Sequence, residues 1–449
     1  MSTALLTDRY ELTMLDAALG SGVAHRPAVF EVFARGLPPG RRYGVVAGLG
    51  RLLDALEEFH FGPAELGWLA SQRVVSPQAL AWLADFRFSG HVDAYLEGEC
   101  YFPNSPVLSV ESSFGEAVLL ETLVLSVLNF DTAVASAAAR MVEAAQGRPI
   151  VEMGSRRVHE GGAVAAARAA LLAGFASTSN LEAGRRYGLP TAGTASHAFS
   201  LVHDDEDAAF QAQLRAQGNA TTLLVDTFDI DAGIEAAVRA ARARGAEGPG
   251  AIRLDSGDLA RLAPKVRSRL DELGARATLI VVSSDLDEVA LERLRDLPID
   301  IYGVGTKVVT GAGAPTAGFV YKLVAVADGP GEAWRAVEKR SVDKSSLGGQ
   351  KRAFRLLDEQ GVARDEVLVR DLADLEAVVP HHWRFRALQR RVIESGVVTA
   401  AAREPLELAT ARLRRGLEEL PVAARQLAPG DPALVSRLVA KERAATGTP

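Results

Sequence analysis

From residue 150 to residue 306 the chain repeats one pattern: a short apolar run ending in polar or glycine residues, then a segment with apolar residues at three- and four-residue spacing. The runs are 150–157 (IVEMGSRR), 174–180 (GFASTSN), 191–197 (TAGTASH), 223–229 (LLVDTFD), 251–258 (AIRLDSGD), 279–285 (LIVVSSD) and 299–306 (IDIYGVGT). Each reads as a strand. The spacing predicts helices over 230–244 and 258–273, with Asp258 and Asp285 standing where N-caps belong. Strands alternating with helices imply a parallel sheet, either open and doubly wound or closed into a barrel. Every run ends in groups able to do chemistry, and barrel enzymes place chemistry at the carboxyl ends of their strands. A barrel is therefore favoured, and the open sheet, which binds ligands at the same ends, is the competitor.

The flanks read differently. Strands are expected at 28–34, 90–96, 321–327 and 333–338, and helices at 406–413 and 432–443. The predicted fold is an irregular TIM-like α/β barrel over 131–330, with a second α+β domain built from 1–130 together with 331–449. Two domains also suit 449 residues, because single cores stop growing near roughly 250 to 300. Loops rich in glycine, proline or serine are expected at 311–318 and 345–349, and a frayed end at 446–449.

Composition narrows the class. With 48% hydrophobic and 24% charged residues the chain has the balance of a soluble globular protein. Apolar stretches such as 163–173, interrupted by Arg168, are too short or too charged to span a bilayer, so no membrane partner is expected. The beginning, MSTALLTDRYELTML, lacks a basic stretch followed by an apolar one, which argues for a cytoplasmic protein. Cys100 is the only cysteine, so no intrachain disulfide and no cysteine-based metal cluster can form, and packing is its expected role. The net charge of −7 disfavours nucleic acid as a partner, although a few converging arginines can still hold a phosphate.

Several short motifs carry candidate chemistry. Asp255-Ser256-Gly257-Asp258 can accept hydrogen bonds from sugar hydroxyls or hold a divalent cation, and on a bland reading Asp258 caps a helix while Asp255 makes a turn. Arg253 shares the pleat face of Asp255 in a regular strand and, if buried, needs an anionic partner. Gly303-Val304-Gly305-Thr306 can bring backbone N–H groups and a hydroxyl close to a phosphate, though its spacing is not that of a Walker loop and a tight turn is its default reading. Arg156 and Arg157 end the first run as a pair, one expected to face inward and the other outward. His197 closes the third run behind Thr194, and a lone histidine is more often structural than catalytic. The other histidines (His25, His60, His91, His159, His203, His381 and His382) show no metal-ligand spacing, so no metal cage follows from the sequence.

Taken in order, LLTDRYELTM, YFPNSPVLSVESSFGEAVLLET, VEMGSRR, GFASTSN, GTASH, RLDSGDL, VVSSDLDE, IYGVGTKVVT and GFVYKLV resemble the nicotinate phosphoribosyltransferase family, among the type II phosphoribosyltransferases, over roughly the first three quarters of the chain. The resemblance implies a ligase that makes nicotinate mononucleotide and pyrophosphate from nicotinate and phosphoribosyl pyrophosphate in NAD salvage. It implies His197 as a catalytic residue phosphorylated by ATP, Tyr10, Thr194 and Arg253 as nicotinate contacts, and Thr306 with Gly303 and Gly305 as the phosphoribosyl pyrophosphate loop. Asp255 and Asp258 match an acidic pair near the ribose and Mg²⁺, and Arg156 is a further site candidate. A homodimer is implied as well. The chain departs from the family at Val158-His159, where Ala-Gln is expected, and the final hundred residues match loosely. Three alternatives stay open: a nicotinamide phosphoribosyltransferase, a quinolinate phosphoribosyltransferase, which needs more basic residues for two carboxylates, and a non-catalytic nucleotide-sensing relative.

Overall fold

A computed structural model describes residues 2–339 and 347–439. The chain divides into two compact units, one of residues 137–315 and one of residues 1–136 with 316–449.

The 137–315 unit is built on six barrel strands, β1 (Ile150–Glu152), β2 (Ser177–Thr178), β3 (Thr222–Leu224), β4 (Ala251–Leu254), β5 (Leu279–Ser284) and β6 (Ile301–Val304). All pairings are parallel, and the order across the sheet is β2-β1-β6-β5-β4-β3. Thr191 adds one further parallel bridge to Thr178. The strands therefore succeed one another in chain order around a curl, with β6 returning to β1. Among the described residues no ladder joins Thr191 to β3, so the cylinder has one seam. This is the irregular TIM-like barrel expected from the alternating pattern, with the expected closed sheet corrected to an incomplete one.

The strands form where branched and large apolar residues cluster. Leu223, Ile252, Leu254, Ile280, Val282, Tyr302 and Val304 are essentially inaccessible, and Ala166, Ala169, Ile234, Ala237, Val266 and Leu270 on the helices bury against the same core. The run 191–197 has only alanine as apolar material and includes Gly193, so it yields a bridge and a loop rather than a strand. The polar residue ending a strand loop commonly starts the next helix. Asp229 caps Ile230–Arg242 through the N–H of Ala232, at 2.9 Å. Asp285 was the expected cap of the helix after β5; instead Leu286 is buried and Asp287 caps Glu288–Leu294, accepting from Ala290 at 2.9 Å. Gly233 lies so close to β3 that an added Cβ would stand 2.4 Å from the carbonyl oxygen of Val225.

The other unit carries a seven-stranded antiparallel sheet in the order Arg335–Ala336, Phe319–Val326, Pro27–Ala34, Leu108–Ser113, His91–Tyr95, Gln389–Glu394, Val397–Val398. Its main core gathers Phe30, Leu52, Leu69, Leu83, Tyr95, Val110 and Tyr321. A four-stranded sheet follows, ordered Arg384–Ala387, Arg352–Leu357, Ala363–Val369, Ser436–Val439. Residues 432–443, expected as a helix, instead supply the last of these strands, and 440–443 lie outside the described residues. Ser436 is buried and donates to Glu366 Oε1 at 2.8 Å while Arg437 faces out, an alternation that the parallel edge of Ala363–Val369 selects over a helical period. Of the loop 345–349, residues 345–346 fall outside the described residues, as does the end at 446–449. Cys100 is buried as expected, and burial pushes its thiol up to about 12.

One helix, Glu121–Ala145, is long and apolar enough by length and composition to cross a membrane, contrary to the expectation that no such stretch exists; 72% of its apolar window is buried inside the molecule.

Candidate active site

Several barrel strands carry polar side chains at or just past their carboxyl ends. Arg253, the third residue of β4, stands at the centre of the cluster. Its Nε donates to Ser283 Oγ at 2.7 Å, Nη1 to Thr194 Oγ1 at 3.0 Å and Nη2 to Asp255 Oδ1 at 2.6 Å. Ser283 Oγ in turn donates to the same Asp255 oxygen at 2.6 Å. These bonds tie residues from β4, β5 and the 191–197 loop into one network. Burial raises the Asp255 carboxyl, but the Ser283 hydroxyl and the Arg253 guanidinium outweigh it and hold the group below the usual carboxylate range. Asp255 is thus an anion with its charge already partly met.

His197 begins the short helix His197–Leu201 and is half-buried. Its Nδ1 lies 3.2 Å from Thr227 Oγ1, on the loop after β3, so this bond bridges the two sides of the seam. The proximity of His197 also lowers the pKa of Asp255. Nearby, Glu206 is buried and its Oε1 has no partner; burial first, then Asp226 and Asp229, raise its pKa, while the Thr227 hydroxyl and His197 lower it.

Asp226 holds the turn that follows β4. Its Oδ2 accepts the Asp255 N–H at 2.8 Å and the Ser256 hydroxyl at 3.0 Å, leaving Oδ1 buried without a partner. Asp258 is exposed and caps Leu259–Glu272, its Oδ1 accepting from the Arg261 N–H at 3.3 Å. Gly303, on β6, packs so closely that a Cβ would meet Met153 Sδ at 2.8 Å and Ser283 Cβ at 3.0 Å. Gly305 and Thr306 follow at the end of β6, with Thr306 opening a helix of only one turn.

The structure thus joins Thr194, Arg253 and Asp255 in one hydrogen-bonded group, with Gly303 against it through Ser283, while His197 bonds to Thr227 and reaches Asp255 only through its electrostatic effect. Arg156 does not end a strand, since β1 stops at Glu152. Arg156 and Arg157 both lie exposed in the turn at 155–157, which corrects the expected inward and outward pair. The chain leaves β1 early because the Glu152 carboxylate folds back to accept the Gly154 N–H and the Thr178 hydroxyl, the latter at 2.6 Å. Tyr10 belongs to the other unit, exposed on the helix Arg9–Ser21. Sequence reasoning passed over Asp226, Thr227 and Ser283. All three sit where strand runs end, so the rule that selected Asp255 could have selected them.

Residues 5–129 match the nicotinate phosphoribosyltransferase N-terminal domain, and residues 134–312 match the quinolinate phosphoribosyl transferase C-terminal domain. The nicotinate phosphoribosyltransferase pncB1 of Mycobacterium tuberculosis is 54% identical over 445 residues, spanning 97% of this chain and 95% of that protein. The chain belongs to the nicotinate phosphoribosyltransferase family. A nicotinate phosphoribosyltransferase of Bacillus subtilis is 36% identical over 363 residues, covering 80% of this chain and 74% of its own. The crystal structure of human nicotinic acid phosphoribosyltransferase superposes with a TM-score of 0.80 at 27% identity, covering 96% of this chain and 97% of the human one. The match of the barrel to a quinolinate enzyme domain reflects a barrel the two groups of enzymes share, and the N-terminal domain together with the full-length relatives separates them.

Proposed function

We infer that this chain joins nicotinate to phosphoribosyl pyrophosphate, forming nicotinate mononucleotide and pyrophosphate in NAD salvage, and that ATP hydrolysis through a phosphorylated His197 drives the reaction. The observation that supports this reading best is the three-sided clamp on Arg253. Ser283, Thr194 and Asp255 each take one N–H, which leaves one N–H on each terminal nitrogen of the guanidinium. That pair is a fork suited to a carboxylate, the group that separates nicotinate from nicotinamide.

In this reading the ring nitrogen of nicotinate attacks C1 of the ribose as pyrophosphate leaves, through a transition state with positive charge on the sugar. Asp255, held ionised, stabilises that charge. Asp258 lies one helix cap away from the same turn, and Thr306 with the Gly303 and Gly305 backbone serves the phosphates. Thr194 completes the nicotinate contacts of the barrel unit, and Arg156 on its exposed turn is available to pyrophosphate. His197 attacks the γ-phosphorus of ATP, ADP departs, and water later releases phosphate from the histidine.

Mg²⁺ belongs to this reading as well. Among the described residues no group of three or more potential ligands forms a cage. The partnerless buried Oδ1 of Asp226, beside Asp255, fits the sparser protein contribution usual for an ion that arrives on phosphates. Asp226 and Asp255 would hold it, and when bound it neutralises charge on the leaving pyrophosphate. A cytoplasmic homodimer completes the proposal, checked by fractionation and by sedimentation.

The deciding experiment is a product assay with nicotinate, nicotinamide and quinolinate, each with phosphoribosyl pyrophosphate and with or without ATP. Nicotinate mononucleotide formed from nicotinate and accelerated by ATP is the expected result. Turnover of nicotinamide or quinolinate in preference to nicotinate would overturn it.

A further inference from the structure

A cavity of about 400 Å³ lies in the unit of residues 1–136 with 316–449, between the helix Leu406–Glu419 and the chain passing from Arg384–Ala387 to Gln389–Glu394. One wall is a single helical face, since Arg412, Arg415, Gly416 and Glu419 fall at i, i+3, i+4 and i+7. The facing wall is the chain at Arg386, Ala387, Leu388 and Arg390. Four arginines therefore point at one space.

Its carboxylates are already engaged. Arg386 donates to Glu99 at 2.7 and 3.0 Å and to Glu419 at 2.6 and 3.0 Å. Arg412 donates to Glu404 and to the Glu97 carbonyl, both at 2.6 Å. Glu99 is held a second time by the buried Arg355, at 2.9 Å. Three carboxylates thus face four guanidiniums, and Glu99 also answers a fifth from behind. Arg390 and Arg415 have no side-chain hydrogen bond or ion pair among the described residues, and both are exposed to the cavity mouth. Leu96, Leu388 and Ala387 supply an apolar floor, and Gly416 adds no side chain to the space.

Two unengaged planar forks above an apolar floor match a dianion attached to an apolar or flat body, and the volume suits a small molecule. We propose that this cavity binds a phosphate monoester of the size of a nucleoside monophosphate, at a site separate from the barrel cluster. The residues that recognise it are Arg390 and Arg415, with Leu388 and Gly416 shaping the body's seat. The inference does not depend on the proposed reaction.

The test uses the full-length protein, AMP and adenosine as probes, and hydrogen–deuterium exchange as the readout. AMP should protect segments 384–394 and 404–419, adenosine should not, and Arg390→Gln/Arg415→Gln should weaken the AMP effect there at least tenfold. Equal melting temperatures for the double variant and the parent establish that the variant folds. Phosphoribosyl pyrophosphate, read on the barrel segments 251–258 and 299–306, should protect both proteins alike, so a failure of the barrel reading shows separately. No protection of 384–394 and 404–419 by millimolar AMP, equal protection by adenosine, or an unchanged response in the double variant would each overturn the proposal.

Discussion

The imidazole Nδ1 of His197 and the hydroxyl of Thr227 stand 3.2 Å apart across the one seam of the barrel. No ladder joins the 191–197 loop to β3 there among the described residues, so the side chains span what the backbone does not. A barrel closed by hydrogen bonds would give His197 a fixed neighbour on a strand. Here, among the described residues, its side chain makes one hydrogen bond, to a loop, which suits the phosphate-accepting role proposed for it.

Replacement of His197 with alanine should abolish ATP-stimulated formation of nicotinate mononucleotide while leaving weak ATP-independent activity. Thr227→Val keeps the shape of the side chain and removes the hydrogen bond, worth about 1 kcal/mol, so it should lower the ATP-stimulated rate by roughly fivefold. Steady-state rates with and without ATP decide both. An unchanged ATP dependence in the alanine variant would refute the role given to His197.

Arg253 should separate acid from amide. Its Ser283, Thr194 and Asp255 contacts fix the guanidinium plane before any ligand arrives, and preorganisation of this kind makes lysine a poor substitute. For Arg253→Lys, kcat/KM for nicotinate should fall by about 2 kcal/mol, on the order of thirtyfold, the cost of a lost charge-assisted contact. The small rate with nicotinamide should change far less. Parallel losses for both substrates would show that Arg253 supports the loop and does not read the carboxylate.

Much of this was legible in the sequence because barrel geometry reports itself through periodicity. The alternation of apolar runs and helical segments located the strands and put Arg253, Asp255 and His197 at their ends, while the roles proposed for Arg253 and His197 come from the family resemblance. Three features escaped for physical reasons. The stretch 191–197 looks like a strand by position, but with alanine as its only apolar residue it gains too little by burial to pair beyond Thr191. The Arg156 turn begins early because Glu152 satisfies local N–H and hydroxyl groups, a contact that sequence spacing does not show. Residues 436–439 become a strand because an open edge at 363–369 awaits them, and that edge exists only in three dimensions.

A fully buried arginine offers a stability test. Arg355 is inaccessible, donates to Glu99 at 2.9 Å, to Glu366 at 2.7 Å and to the Cys100 carbonyl at 2.8 Å, and lies over the Phe102 ring. Removing one partner strands charge in a low-dielectric interior. Glu366→Ala should therefore cost about 3 to 5 kcal/mol, read from urea unfolding of the unit that contains it. A loss below about 1 kcal/mol, the worth of a surface pair, would mean that water reaches Arg355.

Glu11 predicts a pH dependence of stability. It lies on the helix Arg9–Ser21, is inaccessible, and accepts the Thr122 N–H at 2.8 Å and the Thr122 hydroxyl, while its Oε2 has no partner. Burial pushes its pKa up to about 7 from the ordinary 4.5, with Glu121 and Asp8 adding to the rise and the two Thr122 bonds opposing it. Because the folded pKa lies above the unfolded one, the folded state holds its proton more tightly. Stability from this group is therefore full below about pH 4.5, falls as pH rises toward 7, and is lost above it, a change on the order of 2 to 3 kcal/mol. Glu11→Gln keeps an acceptor for Thr122 and cannot ionise. Urea unfolding at pH 5 and pH 8 should then show the variant close to the parent at the lower pH and more stable at the higher one. A constant difference between the two proteins across that range would mean that Glu11 titrates as an ordinary carboxyl.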